Sequence, residues 1–161
     1  MNNEEQQERA ALNQYVIFRL DGESYGVSIH YVEIIEKVSE ITRVPHSAPY
    51  VMGVINLRGE IVPVVDLRNL FNLEPAVITD ESRIIILSVD EIIVGLMTDS
   101  SSEVLSISQD NIENASGVLN DVEESAIKGI GKVNDRMIMM LDIYAVLGLK
   151  NQDSSERSLE H

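Results

Sequence analysis

Gly53-Val54-Ile55-Asn56-Leu57-Arg58-Gly59-Glu60-Ile61-Val62-Pro63-Val64-Val65-Asp66-Leu67 is two apolar runs joined at a turn. The joint is Arg58-Gly59, where glycine accepts the positive φ that a tight hairpin requires. The second run carries Pro63, which has no N–H for a sheet ladder, so the strand is expected at an edge or bulged there. Asp66 ends the run as a helix N-cap, before Leu67-Arg68-Asn69-Leu70-Phe71 with apolar side chains at helical spacing. Strand, turn, strand, cap and short helix form a compact unit with no catalytic group at its centre.

The unit recurs about 76 positions further on, at Gly129-Ile130-Gly131-Lys132-Val133-Asn134-Asp135-Arg136-Met137-Ile138-Met139-Met140-Leu141-Asp142-Ile143. Gly53 falls on Gly129, Arg58-Gly59 on Asn134-Asp135, Asp66 on Asp142, and Leu70-Phe71 on Val146-Leu147. Upstream, Val16-Ile17-Phe18-Arg19-Leu20-Asp21-Gly22-Glu23-Ser24-Tyr25-Gly26-Val27 matches Ile85-Ile86-Leu87-Ser88-Val89-Asp90-Glu91-Ile92-Ile93-Val94-Gly95-Leu96. Each half reads as hairpin, connector, second hairpin and short helix. The halves are residues 14–80 and 81–150, flanked by a flexible acidic N-terminal tail at 1–13 and a disordered C-terminal tail at 151–161. The final Leu159-Glu160-His161 looks like the start of an affinity-tag remnant.

The chain has 161 residues, 44% of them hydrophobic and 4% aromatic, which suits a core of Ile, Val, Leu and Met. β-Branched residues dominate short apolar runs, so the fold is expected to be mostly β with short helices. A half of this size is marginal alone, which predicts a shared buried seam. The absence of Cys excludes disulfides, thiolate nucleophiles and thiolate-bound zinc. There is no signal peptide and no apolar run long enough to insert in a membrane, so the expected location is cytoplasmic. A formal charge of −15 argues against nucleic acid and anionic membrane as partners.

No constellation for catalysis emerges. Asp66, Asp99 and Asp142 each follow an apolar run, but Asp66 and Asp142 read better as caps, and Asp99 enters the loop-like Ser100-Ser101-Ser102. His30 and His46 lack a third ligand for a metal. Gly129-Ile130-Gly131-Lys132 lacks the spacing of a phosphate loop and leads into a strand. No Ser lies in a G-x-S-x-G elbow. No enzyme, metal or cofactor is expected.

What is left is surface. A duplicated β unit with an edge strand suits a docking module. Arg58, at a turn beside Leu57 and Ile61, is the leading candidate. The alternative is a solvated turn residue, or one paired with Glu33, Glu36 or Glu60. Val32, Ile34 and Ile35 form an apolar stretch after the first hairpin, for the most part core, with His30-Tyr31 on its outer face.

From Gln14 to about Leu149 the chain resembles CheW, the chemotaxis coupling protein family. The resemblance is carried by Asn56-Leu57-Arg58-Gly59 followed by Ile61-Val62-Pro63-Val64-Val65-Asp66-Leu67-Arg68. Tyr25-Gly26, Val94-Gly95, Glu103-Val104-Leu105 and Asp135-Arg136-Met137 support it in order. The resemblance implies two SH3-like five-stranded β-barrels packed together. It implies a non-catalytic adaptor joining the cytoplasmic tips of chemoreceptors to the regulatory domain of the histidine kinase CheA, recruited to membrane receptor arrays without entering the membrane. The receptor tip would dock in a groove between the barrels, on Val32, Ile35, Asn56, Leu57 and Arg58. The kinase would pair with exposed barrel edges, at residues the resemblance does not name.

One departure concerns Arg58. CheW proteins commonly carry a Glu able to pair with that Arg, and here its position is Ile34. The pair has either shifted to a neighbour or left Arg58 free for a partner carboxylate. Met139 and Met140, opposite Pro63 and Val64, promise a softer surface on the second barrel. A related protein scaffolding a different receptor–kinase pathway would carry the same motifs. CheV-like proteins and CheA add receiver or kinase domains to this module, and neither is expected in a chain ending soon after Lys150.

Overall fold

The computed structural model describes residues 13–75, 77–114 and 125–148. The expected tails lie outside the described residues, apart from Asn13. Eleven strands run in the order β1 (Gln14–Leu20), β2 (Glu23–Ser28), β3 (Val32–Lys37), β4 (Val51–Leu57), β5 (Glu60–Asp66), β6 (Arg83–Val89), β7 (Ile92–Thr98), β8 (Ser100–Ser106), β9 (Ile112–Glu113), β10 (Ile127–Val133) and β11 (Arg136–Leu141). Short helices α1 (Leu67–Leu70) and α2 (Ile143–Val146) follow β5 and β11. Asp66 caps α1 by accepting from the N–H groups of Arg68 and Asn69, and Asp142 caps α2 by accepting from that of Ala145.

The strands form two sheets, β8-β1-β2-β11-β10-β9 and β3-β6-β7-β5-β4. The boundary after residue 80 therefore divides the sequence but not the sheets. The hairpin β1–β2 of the first half lies between β8 and β11 of the second, and β6–β7 of the second lies between β3 and β5 of the first. Both exchanges keep one register: Gly26 pairs with Met140 in the first sheet, and Gly95 with Val64 in the second. These pairs occupy matching places in the repeat, so the duplication is written into strand pairing as well as element order.

Each sheet curls around its own apolar cluster. Ile55, Val62, Val64, Ile84, Ile86 and Met97 fill the five-stranded barrel, with Ile34 of β3 packed against them. Tyr15, Ile17, Ile107, Ile138 and Met140 fill the six-stranded one. The alternate side chains of the same strands, Val16, Phe18 and Leu20 on β1 and Ile85, Leu87 and Val89 on β6, meet between the barrels. Burial on both faces is why these strands read as unbroken apolar runs. Phe18, Tyr25 and Phe71 stack through this seam with ring centroids 5.7 Å apart at each step.

Local chemistry fixes the bends. All four hairpins turn on two residues with left-handed backbone: Asp21-Gly22, Arg58-Gly59, Asp90-Glu91 and Asn134-Asp135. A bulge precedes Gly53 in β4 and Gly129 in β10. A Cβ at Gly53 would collide with the Thr42 carbonyl, and one at Gly129 would lie 2.8 Å from that of Glu113. The bridge of Thr42 to Val54 is the counterpart of β9, the two-residue strand that makes the first sheet six-stranded rather than five-stranded.

Two local expectations are corrected. β5 is an inner strand, flanked by β7 and β4, and Pro63 is in register with Val54 without a bulge there. The ladder with β7 begins only at Val64, so the donor that Pro63 lacks is not needed. Met140 is fully buried inside the six-stranded barrel and Met139 packs against the seam, because successive side chains of β11 point to opposite faces and both faces are covered. The exposed methionine is Met137, at 61%.

If the hairpin exchange makes each half incomplete, residues 1–80 and 81–161 expressed separately should each give the amide NMR spectrum of an unfolded chain. Mixing them should restore the dispersed spectrum of the whole protein. A folded spectrum from either half alone would contradict the exchange.

Candidate functional site

The β4–β5 turn presents Arg58. The side-chain oxygen of Asn56 accepts from the N–H of Gly59 at 2.9 Å, closing the turn. Arg58 itself has φ 53° and Gly59 φ 86°. Among the hairpin turns, only Arg58 and Glu91 occupy left-handed positions without being Gly, Asn or Asp. An L side chain there carries roughly 1 kcal/mol of strain, the kind of cost that persists at functional sites.

Arg58 stands over a cavity of about 290 Å³ lined by Glu33, Ile34, Leu57, Glu60, Ile86 and Ile93. β3 and β4 are the two edges of the five-stranded sheet, and the cavity forms where the curled sheet brings them together. Its apolar wall belongs to the barrel core: Ile86 is fully buried, and Ile34, Leu57 and Ile93 pack against the same cluster. Among the described residues Arg58 has no ion pair. Of the three carboxylates considered for it, Glu33 and Glu60 share its cavity, and Glu36 does not.

The other candidates are spread along the same barrel. Leu57 shares the cavity with Arg58, and Asn56 is exposed with its side chain engaged in the turn. Val32 packs against the seam, and Ile35 is 38% exposed; neither lines the cavity. His30 is exposed, as expected, and Tyr31 is half-buried on the seam. Sequence reasoning placed Ile61 beside Arg58 but did not single out Met137 and Val104; the three are 66%, 61% and 48% exposed. The repeat held the signal: Ile61 and Met137 are mates in the two second hairpins, and Val104 on β8 is the mate of Ile35 on β3.

At the corresponding place on the six-stranded barrel the cation is paired. Arg136, the mate of Glu60, makes two bonds of 2.9 Å to the carboxylate of Glu103, the mate of Ile34. Hydrogen bonding to Arg136 holds the Glu103 carboxyl below the usual range. Arg136 is ion-paired, whereas Arg58 has no ion pair among the described residues.

Asp99 is structural. Its carboxylate accepts from Arg68 Nε at 2.9 Å and Nη2 at 2.6 Å, and from the N–H of Asp21 at 2.8 Å. Burial pushes this carboxyl up, but the bonds from Arg68 and Asp21 outweigh it and hold it below the ordinary range. The pair ties α1 to the end of β7 and to the first turn. Tyr144 holds the matching position in α2; it meets Tyr31 edge-on at 6.0 Å and donates to Asp90 at 3.2 Å. Burial, with Tyr31 and Asp90 beside it, pushes the Tyr144 hydroxyl up to about 12, so it stays a donor at neutral pH. Among the described residues no group of three His, Cys, Asp or Glu side chains is placed to hold a metal, and no helix is long and apolar enough to cross a membrane.

A family model of the CheW-like domain matches residues 14–150. The chain belongs to the CheW-like domain family. It is 40% identical to a chemotaxis protein CheW of Bacillus subtilis (strain 168) over 141 residues, covering 87% of this chain and 90% of that protein. A CheW of Helicobacter pylori is 31% identical over 142 residues, 88% of this chain and 86% of that one. Among solved structures, the scaffolding protein TtCheW of Thermoanaerobacter tengcongensis superposes with a TM-score of 0.76 at 32% identity, covering 83% of this chain and 91% of that one. Family membership gives the coarse function, that of a chemotaxis adaptor, and agrees with two SH3-like barrels.

Replacing Asp99 by Asn should destabilise the protein by about 2 kcal/mol at neutral pH, read from urea unfolding. The folded-state pKa of Asp99 is depressed, so its stabilisation is present above the unfolded pKa near 3.9 and is lost as pH falls through the folded value. The gap between the wild type and Asp99→Asn should therefore shrink on acidification; a gap independent of pH would contradict the ion-pair role.

Proposed function

We propose that the chain couples the cytoplasmic tips of chemoreceptors to the regulatory domain of the histidine kinase CheA, in the cytoplasm at receptor arrays, by contact and not by turnover. The observation that carries this reading is Arg58: a strained, exposed cation with no ion pair among the described residues, set over a cavity whose apolar wall is flanked by Glu33 and Glu60. A receptor face drawn from Val32, Ile35, Asn56, Leu57 and Arg58 would suit a helical hairpin that offers apolar side chains and a carboxylate. The apolar positions give contact area, and Arg58 gives orientation and a penalty against partners that lack the acid.

The kinase domain would pair with exposed barrel edges, leaving the Arg58 side free for the receptor. Exposed Val104, on the edge strand β8 of the six-stranded sheet, supplies an apolar contact for such pairing. Contacts of this transient kind are individually modest, and an array gains strength by linking many of them.

Calorimetric titration with a receptor cytoplasmic fragment and, separately, with the CheA regulatory domain tests the division of labour. Arg58→Glu should weaken receptor binding at least tenfold, or about 1.4 kcal/mol. Kinase-domain binding should be unchanged, and the variant should stay folded with at most a small loss of thermal stability from the added charge beside Glu33 and Glu60. Unaltered receptor affinity in the folded variant would refute the assignment.

A further inference from the structure

A second cleft, of about 500 Å³, shares no lining residue with the cavity under Arg58. Its wall brings together Tyr15 of β1, Ser28 at the end of β2, His30 and Tyr31 of the 3-10 turn, Gln109, and Lys128 of β10. These come from separate elements, so the cleft is set by the fold and not by one loop. Tyr15 and Ser28 are cross-strand partners, and Lys128 sits at the bulge between Ile127 and Gly129.

What the cleft offers is donors. Lys128 Nζ lies 5.8 Å from the centre of the Tyr15 ring and has no salt bridge among the described residues. The phenol of Tyr15, on a residue only 2% exposed, accepts from the Gln109 amide at 3.4 Å. Burial, partly offset by that bond, pushes the phenol up, so it keeps its proton. The Ser28 hydroxyl accepts from the N–H of His30, which leaves its own proton to donate. None of the lining residues is acidic, in a chain with 27 Asp and Glu against 12 Lys and Arg. The Arg58 cavity, by contrast, is flanked by Glu33 and Glu60.

We infer that this cleft binds a small phosphate-type anion, free or as a phosphate monoester, with Lys128 supplying the charge and the Tyr15 and Ser28 hydroxyls and His30 orienting its oxygens. A doubly charged, multi-acceptor anion uses an ammonium and several neutral donors better than a single carboxylate does. Binding there does not depend on the adaptor reading, because no residue assigned to the receptor lines the cleft.

The full chain is titrated with inorganic phosphate, and separately with acetate, at constant ionic strength, and followed by amide NMR. The expected result is saturable shifts at Tyr15, His30 and Lys128, tighter with phosphate than with acetate. Lys128→Ala should weaken binding at least tenfold without changing the rest of the spectrum, since the side chain is exposed. Tyr15→Phe, which keeps the buried ring and removes the donor, should weaken it several-fold. Shifts that fail to saturate, that centre elsewhere, that favour acetate, or that survive Lys128→Ala would overturn the assignment.

Discussion

The structure depends on the apolar seam between its barrels. Val16, Phe18 and Leu20 from one sheet and Ile85, Leu87 and Val89 from the other bury their alternate faces there, with Leu67, Phe71, Ile143 and Val146 from the helical segments completing it. A half of this size is marginal alone. Exchanging hairpins solves the problem twice, since the strands that line the seam are also central strands of the sheet built mainly by the other half. The two barrels are therefore tied together by shared strands as well as by the seam.

The repeat is not exact, and its exceptions distinguish the two barrels. At the second position of α1 stands Arg68, in a bidentate ion pair with Asp99; at that of α2 stands Tyr144, edge-on to Tyr31 and bonded to Asp90. Where the six-stranded barrel joins Arg136 to Glu103, the five-stranded barrel has Glu60 and Ile34, with Arg58 beside them unpaired. A duplicated scaffold with identical surfaces would present each partner with two equivalent sites. Changing a few charged and aromatic side chains on the same backbone distinguishes the barrels at little cost to the core.

Much of this was legible in the sequence because short-range rules produce it. The caps Asp66 and Asp142, the turns at Arg58-Gly59 and Asn134-Asp135, and the equivalence of Gly53 with Gly129 follow from local chemistry and recur at one offset. The exchange of hairpins was not legible. A periodicity of two says that a strand has two buried faces but does not say which partner covers each. The same ambiguity misplaced Pro63 at an edge and turned Met140 outward. At the site, Leu57 and Arg58 were recognisable from the turn, whereas the approach of Glu33 and Ile34 to them depends on how the sheet closes. The Arg68–Asp99 pair joins the two halves and left no local trace.

An adaptor differs from a protein that merely binds two things in turn, because both partners must sit on it together. In the proposed reading the apolar seam holds the two barrels together while each partner occupies its own face. The most direct measurement is sedimentation velocity on the chain mixed with a receptor cytoplasmic fragment and the CheA regulatory domain. The account predicts a single faster boundary containing all three, formed at concentrations where each pair also forms. Displacement of one partner by the other, giving only the two binary complexes, would contradict it.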